Sequence, residues 1–451
     1  MMHFTTDQQT LNDLNIFGKP GSESIFSLFD KTQTRGGSAC MQEMFRYPMA
    51  DVDKINHRVA VLQYYTDSGL MFPFKTELFD VIEQYLENTD ERSKLQPKVS
   101  SVADKLKGLI AEDPHLKNIN AGVKAIQELL GALEIFLGNK SSRQVDVEVD
   151  PMRKLLLDAD FEGLLKEKKG KGLPYETLAA YDVLLRFRKQ SSIRTCLHAI
   201  YQLDAYLSIA KLAKERGLCY PVALPADQQE VVLEGVYHPH VKGAIANSLK
   251  IDPQGNIIFL TGANMAGKST LMKSLGIAMY LAHMGFPIAA QKMSFSVRDG
   301  IYTSINLPDN LNKGISHFYA EVLRIKKISQ ELGQNKSLFI IIDELFRGTN
   351  VKDAYEATVA ITAAFAGKRN CMFVVSTHIM EAGETLKAKC SNIKFVYLPT
   401  KMEGSRPVYT YRLESGITED RHGMIIVNNE GIVELLNKNK PQTLNYEFFN
   451  R

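Results

Sequence analysis

The stretch Ile257–Thr270 reads IIFLTGANMAGKST. Its first four residues are apolar and suit a buried strand. The remainder holds Gly262-x-x-x-x-Gly267-Lys268-Ser269, the spacing of a phosphate-binding loop. Two glycines let the backbone curl so that successive N–H groups point at a phosphate chain. On that reading Gly262, Ala263, Asn264, Met265, Ala266, Gly267, Lys268, Ser269 and Thr270 cradle a nucleotide triphosphate. Lys268 reaches the outer phosphates and the Ser269 hydroxyl ligates Mg²⁺. A helix expected over Ser269–Ala282 aims its positive end at the same anion. That helix is apolar nearly all round, which suits packing between a sheet and other elements. The bland reading is a glycine turn joining a strand to a helix.

A second segment, Leu338-Phe-Ile-Ile-Ile-Asp343-Glu344, is an apolar run ending in two carboxylates. Such a run fits the centre of a parallel sheet, whose ligands gather at the carboxyl ends of its strands. There Asp343 would hold Mg²⁺ and Glu344 would orient or deprotonate an attacking water. A third strand, Cys371–Thr377, ends at His378, which is placed to touch the γ-phosphate or the water. The alternatives are an acidic turn in solvent and an ordinary loop histidine.

Composition bounds the rest. At 451 residues the chain has room for two or three domains. Its 45% hydrophobic and 23% charged content is that of a soluble globular protein. A net charge of +3 announces no global affinity for nucleic acid, so any such contact must come from a local patch. The five cysteines are scattered without metal-ligand spacing and read as thiols of a reducing cytoplasm. With no leader pattern and no bilayer-length apolar run, a cytoplasmic protein without membrane association is expected.

Residues 1–225 read as a mostly α-helical domain and 226–451 as an α/β domain. Val52, Ile55, Val59 and Leu62 share a helical face, as do Val123, Ile126, Leu130, Leu133 and Leu137. From Tyr175 to Arg216 there is neither glycine nor proline. One helix over that stretch would be roughly 60 Å long, a lever rather than a core element. Two helices broken near Gln190–Ser192 are the alternative. Gly217–Gly235 reads as the boundary, after which strands alternate with helices. Val408–Leu413 adds a late strand. Basic clusters at Lys166–Lys171 and at Arg186, Arg188, Lys189 and Arg194 are either solvated faces or phosphate contacts.

Taken together, these motifs resemble the MutS family of DNA mismatch-repair ATPases. TGANMAGKST is similar to that family's TGPNMGGKST, DELFRGTN at Asp343–Asn350 to DEIGRGTS, and Ser376-Thr377-His378 to its ATH segment. Asp299-Gly-Ile-Tyr-Thr303 and Asp309-x-Leu311-x-x-Gly314-x-Ser316-x-Phe318 follow the family's D-x-I-F-T and D-x-L-x-x-G-x-S-T-F. Tyr237-His238-Pro239 sits where the family has R-H-P, and Tyr411-x-Leu413 with Gly423 echoes its last strand and helix. In the first half, Leu28-x-Asp30-x-Thr32-x-Thr34-x-x-Gly37, with Pro48, Ile55 and Arg58, looks like the start of the family's core.

The resemblance implies a helical core or lever domain followed by an ABC-type P-loop ATPase domain. It implies a homodimer in which Ser316 reaches the partner's nucleotide in trans. ATP and Mg²⁺ are the implied cofactors, and mismatched or branched double-stranded DNA the implied partner. Hydrolysis of ATP would drive a clamp-like movement on DNA in mismatch repair or related DNA maintenance. Catalysis would rest on Lys268, Glu344 and His378. The chain departs from the family pattern in several places. It starts where the core starts, without room for the mismatch-reading domain, and its clamp and carboxyl-terminal dimerisation segments look reduced. His317 replaces a threonine, and Ala244 falls where the family places an adenine-stacking aromatic. The alternative function is a nucleotide-dependent binder of branched DNA or stalled ribosomes that does not recognise mismatches.

Overall fold

The structure is a computed structural model. It describes residues 4–19, 21–95, 114–138, 145–167, 173–263, 265–305, 317–346, 349–403, 406–418 and 431–437. The polypeptide divides into two compact units. One comprises Ile25–Tyr47 and His57–Gly217, the other Met1–Ser24, Pro48–Asn56 and Leu218–Arg451. The helical unit ends at Gly217 and the sheet unit resumes at Leu218. Two segments of the first half nevertheless cluster with the sheet unit, because their partners are far away in sequence.

The first unit is helical. Its longest helix, Gln190–Arg216, buries Ile193, Leu197, Ile200, Leu203, Leu207 and Ala210 at the expected three-or-four spacing. Gly217 ends it in the left-handed conformation, φ 61°. The helix also carries a buried carboxylate, Asp204, which accepts hydrogen bonds from the Gln33 and Thr34 N–H groups and from the Thr34 hydroxyl. Thr34 in turn caps the helix Arg35–Arg46 by accepting from the Gly37 N–H at 2.9 Å. A Cβ at position 37 would lie 2.2 Å from Asp204 Oδ2. The Thr34-x-x-Gly37 spacing is therefore a capped turn seated on a buried acid.

Tyr175–Arg216 is not one uninterrupted α-helix. Tyr175–Asp182 passes into a π-helical turn, Val183–Arg188, and Lys189 (φ −113°, ψ 9°) breaks the chain before Gln190. The continuous part is about 40 Å long. Three of the four side chains of the adjoining basic cluster are engaged in ion pairs. Arg186 has a side chain only 1% exposed and is paired with Asp182. Lys189 pairs with Asp158 at 2.6 Å and Asp160 at 2.8 Å, and Arg194 lies 3.6 Å from Glu83. Arg188 stays exposed. Much of the Lys166–Lys171 cluster lies outside the described residues.

The second unit holds two larger sheets. Its strands are β1 (Val222–Leu224), β2 (Val231–Val236), β3 (Asn247–Ile251), β4 (Ile257–Gly262), β5 (Lys292–Ser296), β6 (Gly300–Ser304), β7 (Leu338–Ile342), β8 (Met372–Ser376), β9 (Ile393–Leu398), β10 (Thr400–Glu403), β11 (Arg406–Tyr409) and β12 (Glu414–Ser415). Its helices include α1 (Gln8–Asp13), α2 (Lys268–His283), α3 (His317–Leu332), α4 (Val351–Ala366) and α5 (Met380–Lys389). The main sheet has the order β12-β9-β4-β8-β7-β6; five strands are parallel and β12 pairs antiparallel at one edge. Every residue of β4, β6, β7 and β8 is buried, as their apolar runs require. The smaller sheet, β1-β5-β2-β3, mixes both pairings, and β10 and β11 form a separate two-stranded ribbon.

The expected strand Val408–Leu413 is interrupted. β11 stops at Tyr409, and Tyr411 takes a left-handed φ of 55°. The Asn247 side chain replaces the missing strand partner, donating to the Tyr411 carbonyl at 2.9 Å and accepting from the Leu413 N–H at 2.7 Å.

Under the sheet, α2 buries a neutral histidine. His283 is 1% exposed; its Nδ1 lies 2.8 Å from the Met279 carbonyl and its Nε2 accepts from the Arg298 N–H. Burial lowers its pKa to about 4. Among the described residues, no helix is long and apolar enough to cross a membrane.

Candidate nucleotide site

Because β4, β7 and β8 run parallel and adjacent, their carboxyl ends open on one edge of the sheet. Residue pairing sets Leu260 beside Ser376 and Ile342 beside Val375. The loop after β4, the two carboxylates after β7 and the histidine after β8 consequently meet. A cavity of about 720 Å³ there is bounded by Ala263, Met265, Gly267, Lys268, Ser269, Thr270, Glu344 and His378.

The loop has the backbone its sequence requires. Gly262 (φ 149°), Met265 (φ 69°) and Gly267 (φ 97°) all lie at positive φ. Gly267 is doubly constrained, since a Cβ there would fall 2.9 Å from Tyr411 Cδ1. α2 begins at Lys268, directly after this turn. The buried Lys268 ammonium donates to the Gly262 carbonyl at 2.8 Å and the Ala263 carbonyl at 3.1 Å, beside the path a phosphate chain would take.

The Ser269 hydroxyl donates to Asp343 Oδ2. Two hard oxygen donors thus converge at the mouth of the loop. Mg²⁺ accepts such a site, binding few protein oxygens and completing its shell with phosphate and water. Among the described residues, no group of three or more His, Cys, Asp or Glu could hold a metal ion. A cation at this point would therefore draw on oxygens of the substrate.

Ser376, the last residue of β8, organises both carboxylates. Its hydroxyl donates to Asp343 Oδ1 at 2.5 Å and accepts from the Glu344 N–H at 3.1 Å. The Glu344 N–H also faces the Ser376 carbonyl at 3.2 Å. Glu344 itself has φ 57°, a left-handed conformation that costs a non-glycine residue about 1–3 kcal/mol. That backbone turn brings the carboxylate back over the loop, where it pairs with His378 Nε2. The Glu344 side chain is 8% exposed and that of His378 37%, so the pair is open to solvent on the histidine side.

Beside this cavity lies a second, of about 430 Å³, which shares Met265, Gly267 and Thr270 with it. His238, Ala244, Ile245, Leu398 and Tyr411 also line it. Burial, with the nearby His240 and Lys273 charges, lowers the His238 pKa to about 4 and keeps the ring neutral. The small Ala244 side chain leaves room on one wall, and the Tyr411 ring stands on the P-loop side.

Two family models match the chain. MutS domain III covers residues 9–210 and MutS domain V covers residues 258–444. The chain belongs to the MutS family. It is 23% identical over an alignment of 525 positions to the DNA mismatch repair protein MutS of Fusobacterium nucleatum, covering 95% of this chain and 58% of that protein. It is 29% identical over 275 residues to the DNA mismatch repair protein MutS of Persephonella marina, covering 59% of this chain and 31% of that protein. The chain thus spans about a third to somewhat over half the length of these curated relatives.

The domain V match contains every described residue lining the two cavities except those of the stretch Val236–Asn247. Asn264 and Ser316, both read from sequence as site residues, lie outside the described residues. Three residues of the site were given no role in it by the sequence, although Ser376 and Tyr411 stood in motifs named above. Ser376 was signalled only as a hydroxyl at the end of a buried strand. Tyr411 was read only as part of a late strand, and Asn247 carries no local signal, since the turn that joins them is closed by hydrogen bonds across 164 and 166 positions of sequence.

Proposed function

We propose that this MutS-family chain hydrolyses ATP to ADP and phosphate in a Mg²⁺-dependent reaction and couples the reaction to DNA binding. The convergence of Lys268, Ser269, Glu344 and His378 on one cavity, with Asp343 hydrogen-bonded to Ser269, carries this reading. The loop N–H groups and Lys268 hold the β- and γ-phosphates. Ser269 and Asp343 hold Mg²⁺, which when bound neutralises charge on the phosphate oxygens. Glu344 accepts a proton from water as the water oxygen bonds to the γ-phosphorus. The bond from that phosphorus to the β,γ-bridging oxygen breaks, and ADP leaves with the electron pair. His378, bonded to Glu344, orients that carboxylate and faces the γ-phosphate. The work of the site is positioning and charge stabilisation.

The nucleoside side fits the second cavity, where Tyr411 offers an aromatic face to a base. On the ABC-type pattern that the resemblance implies, Ser316 would contact the nucleotide of a second copy, and the working unit would be a homodimer. The target is double-stranded DNA, mismatched or branched, in mismatch repair or related DNA maintenance.

The test is a binding comparison among matched duplex, mismatched duplex, four-way junction and ribosomes, each with and without ATP. Tighter or ATP-responsive binding to mismatched or branched DNA supports the proposal. Equal, ATP-independent binding to all DNA forms, or preference for ribosomes, overturns its DNA-maintenance half.

A further inference from the structure

The segment preceding the helical unit is built into the nucleotide-binding sheet. Thr5 forms a parallel bridge with Gly300: its N–H donates to the Asp299 carbonyl at 2.7 Å, and its carbonyl accepts from the Ile301 N–H at 3.0 Å. The edge of β6 is thereby paired at its first residue by a single bridge. α1 follows, capped by Asp7, whose carboxylate also pairs with Arg324 and Lys327 of α3. The Arg324 and Asp7 side chains are 5% and 11% exposed. These groups hold the Asp7 carboxyl well below the usual carboxylate range despite the opposing effect of burial.

The end of α1 reaches further. Asp13 is 3% exposed, and its Oδ2 accepts from the Thr303 hydroxyl at 2.7 Å and from the Ile305 N–H at 2.9 Å. These two bonds flank Ser304. The Ser304 carbonyl in turn accepts the Asp343 N–H at 2.8 Å. Asp343 is thus fixed on one side by Ser376 and on the other by a strand end that Asp13 clamps at both neighbours.

We infer that Asp13 is a positioning residue for the Asp343 carboxylate, so that divalent-cation binding depends on a segment some 330 residues upstream in sequence. This inference rests on the Mg²⁺ and nucleotide reading of the site. The clamp acts by geometry. Asp13 lies behind Ser304 and hydrogen-bonds the strand end, so it sets where the carboxylate stands without ligating the ion. Outer-shell partners of metal ligands commonly change metal affinity by about 10–100-fold. One link further out, roughly a fivefold effect is expected.

The experiment compares the full-length parent with Asp13→Ala, Asp13→Asn and Thr303→Val by calorimetric titration with ADP, once in Mg²⁺ and once in EDTA. The readout is the gain in ADP affinity that Mg²⁺ confers. Asp13→Ala should lose roughly fivefold of that gain, with its affinity in EDTA unchanged. Asp13→Asn keeps an oxygen acceptor for both donors and should retain the gain. Thr303→Val removes one of the two bonds and should fall between. If Asp13→Ala does not fold, Thr303→Val decides. An undiminished Mg²⁺ gain in Asp13→Ala, or in Thr303→Val where only that variant folds, would show a purely structural role, whatever the thermal stability, and overturn the inference. A parent without any Mg²⁺ gain would overturn the metal reading itself, and the inference with it.

Discussion

Glu344→Gln should bind ATP about as tightly as the parent and lose roughly 100-fold to 10,000-fold of its turnover, the range of a general base. The substitution keeps the side chain's shape and leaves the Glu344 N–H on Ser376, so the left-handed turn is undisturbed. The amide still meets His378. It cannot accept a proton from water. Lys268→Ala should behave differently. It removes the cation buried beneath the loop, and both nucleotide binding and turnover should fall. Phosphate release with equilibrium binding of a fluorescent ATP analogue separates the two phenotypes. Parental turnover by Glu344→Gln would remove Glu344 from the base role and direct attention to His378.

The second large effect is on stability. Arg186 uses its guanidinium fully: Nε and Nη2 donate to Asp182, Nη1 to the Asn88 carbonyl and the Ser93 hydroxyl, and Nη2 also to the Ser93 carbonyl. Asp182 additionally accepts from the Tyr85 hydroxyl at 3.0 Å and has no exposure. Arg186→Met would leave this carboxylate buried without its cation, at a cost of about 3–5 kcal/mol. Removing both charges, as in Arg186→Met with Asp182→Leu, should recover much of the loss, because the desolvation penalty disappears along with the attraction. Urea unfolding of the single and double variants measures both. A single variant within about 1 kcal/mol of the parent, the value of an exposed pair, would show that Arg186 is not a buried anchor of the helical unit.

The parts of the site that could be read in advance are those written in consecutive residues. The glycine spacing of the loop, the apolar run before Asp343 and the strand before His378 each state a local geometry. Parallel pairing then brings their ends together. What sequence could not supply was closure over distance. Asp13 reaches Thr303 across 290 positions, and Asn247 reaches Tyr411 across 164. Neither pair has a periodicity that announces it. The basic cluster was ambiguous for a related reason. Arg186 looks like a surface charge until its acid at i−4 and the distant Asn88 and Ser93 are folded against it. The π-helical turn that places it contains neither glycine nor proline, so no residue there signals a break.

The central claim is a Mg²⁺-dependent ATPase built on the ends of β4, β7 and β8. Its most direct test is steady-state phosphate release by the purified full-length chain, with ATP in Mg²⁺ and then in EDTA. Turnover in Mg²⁺ that collapses in EDTA and in Lys268→Ala is the expected result. Absence of turnover in Mg²⁺, or release that persists unchanged in EDTA or in Lys268→Ala, would contradict it.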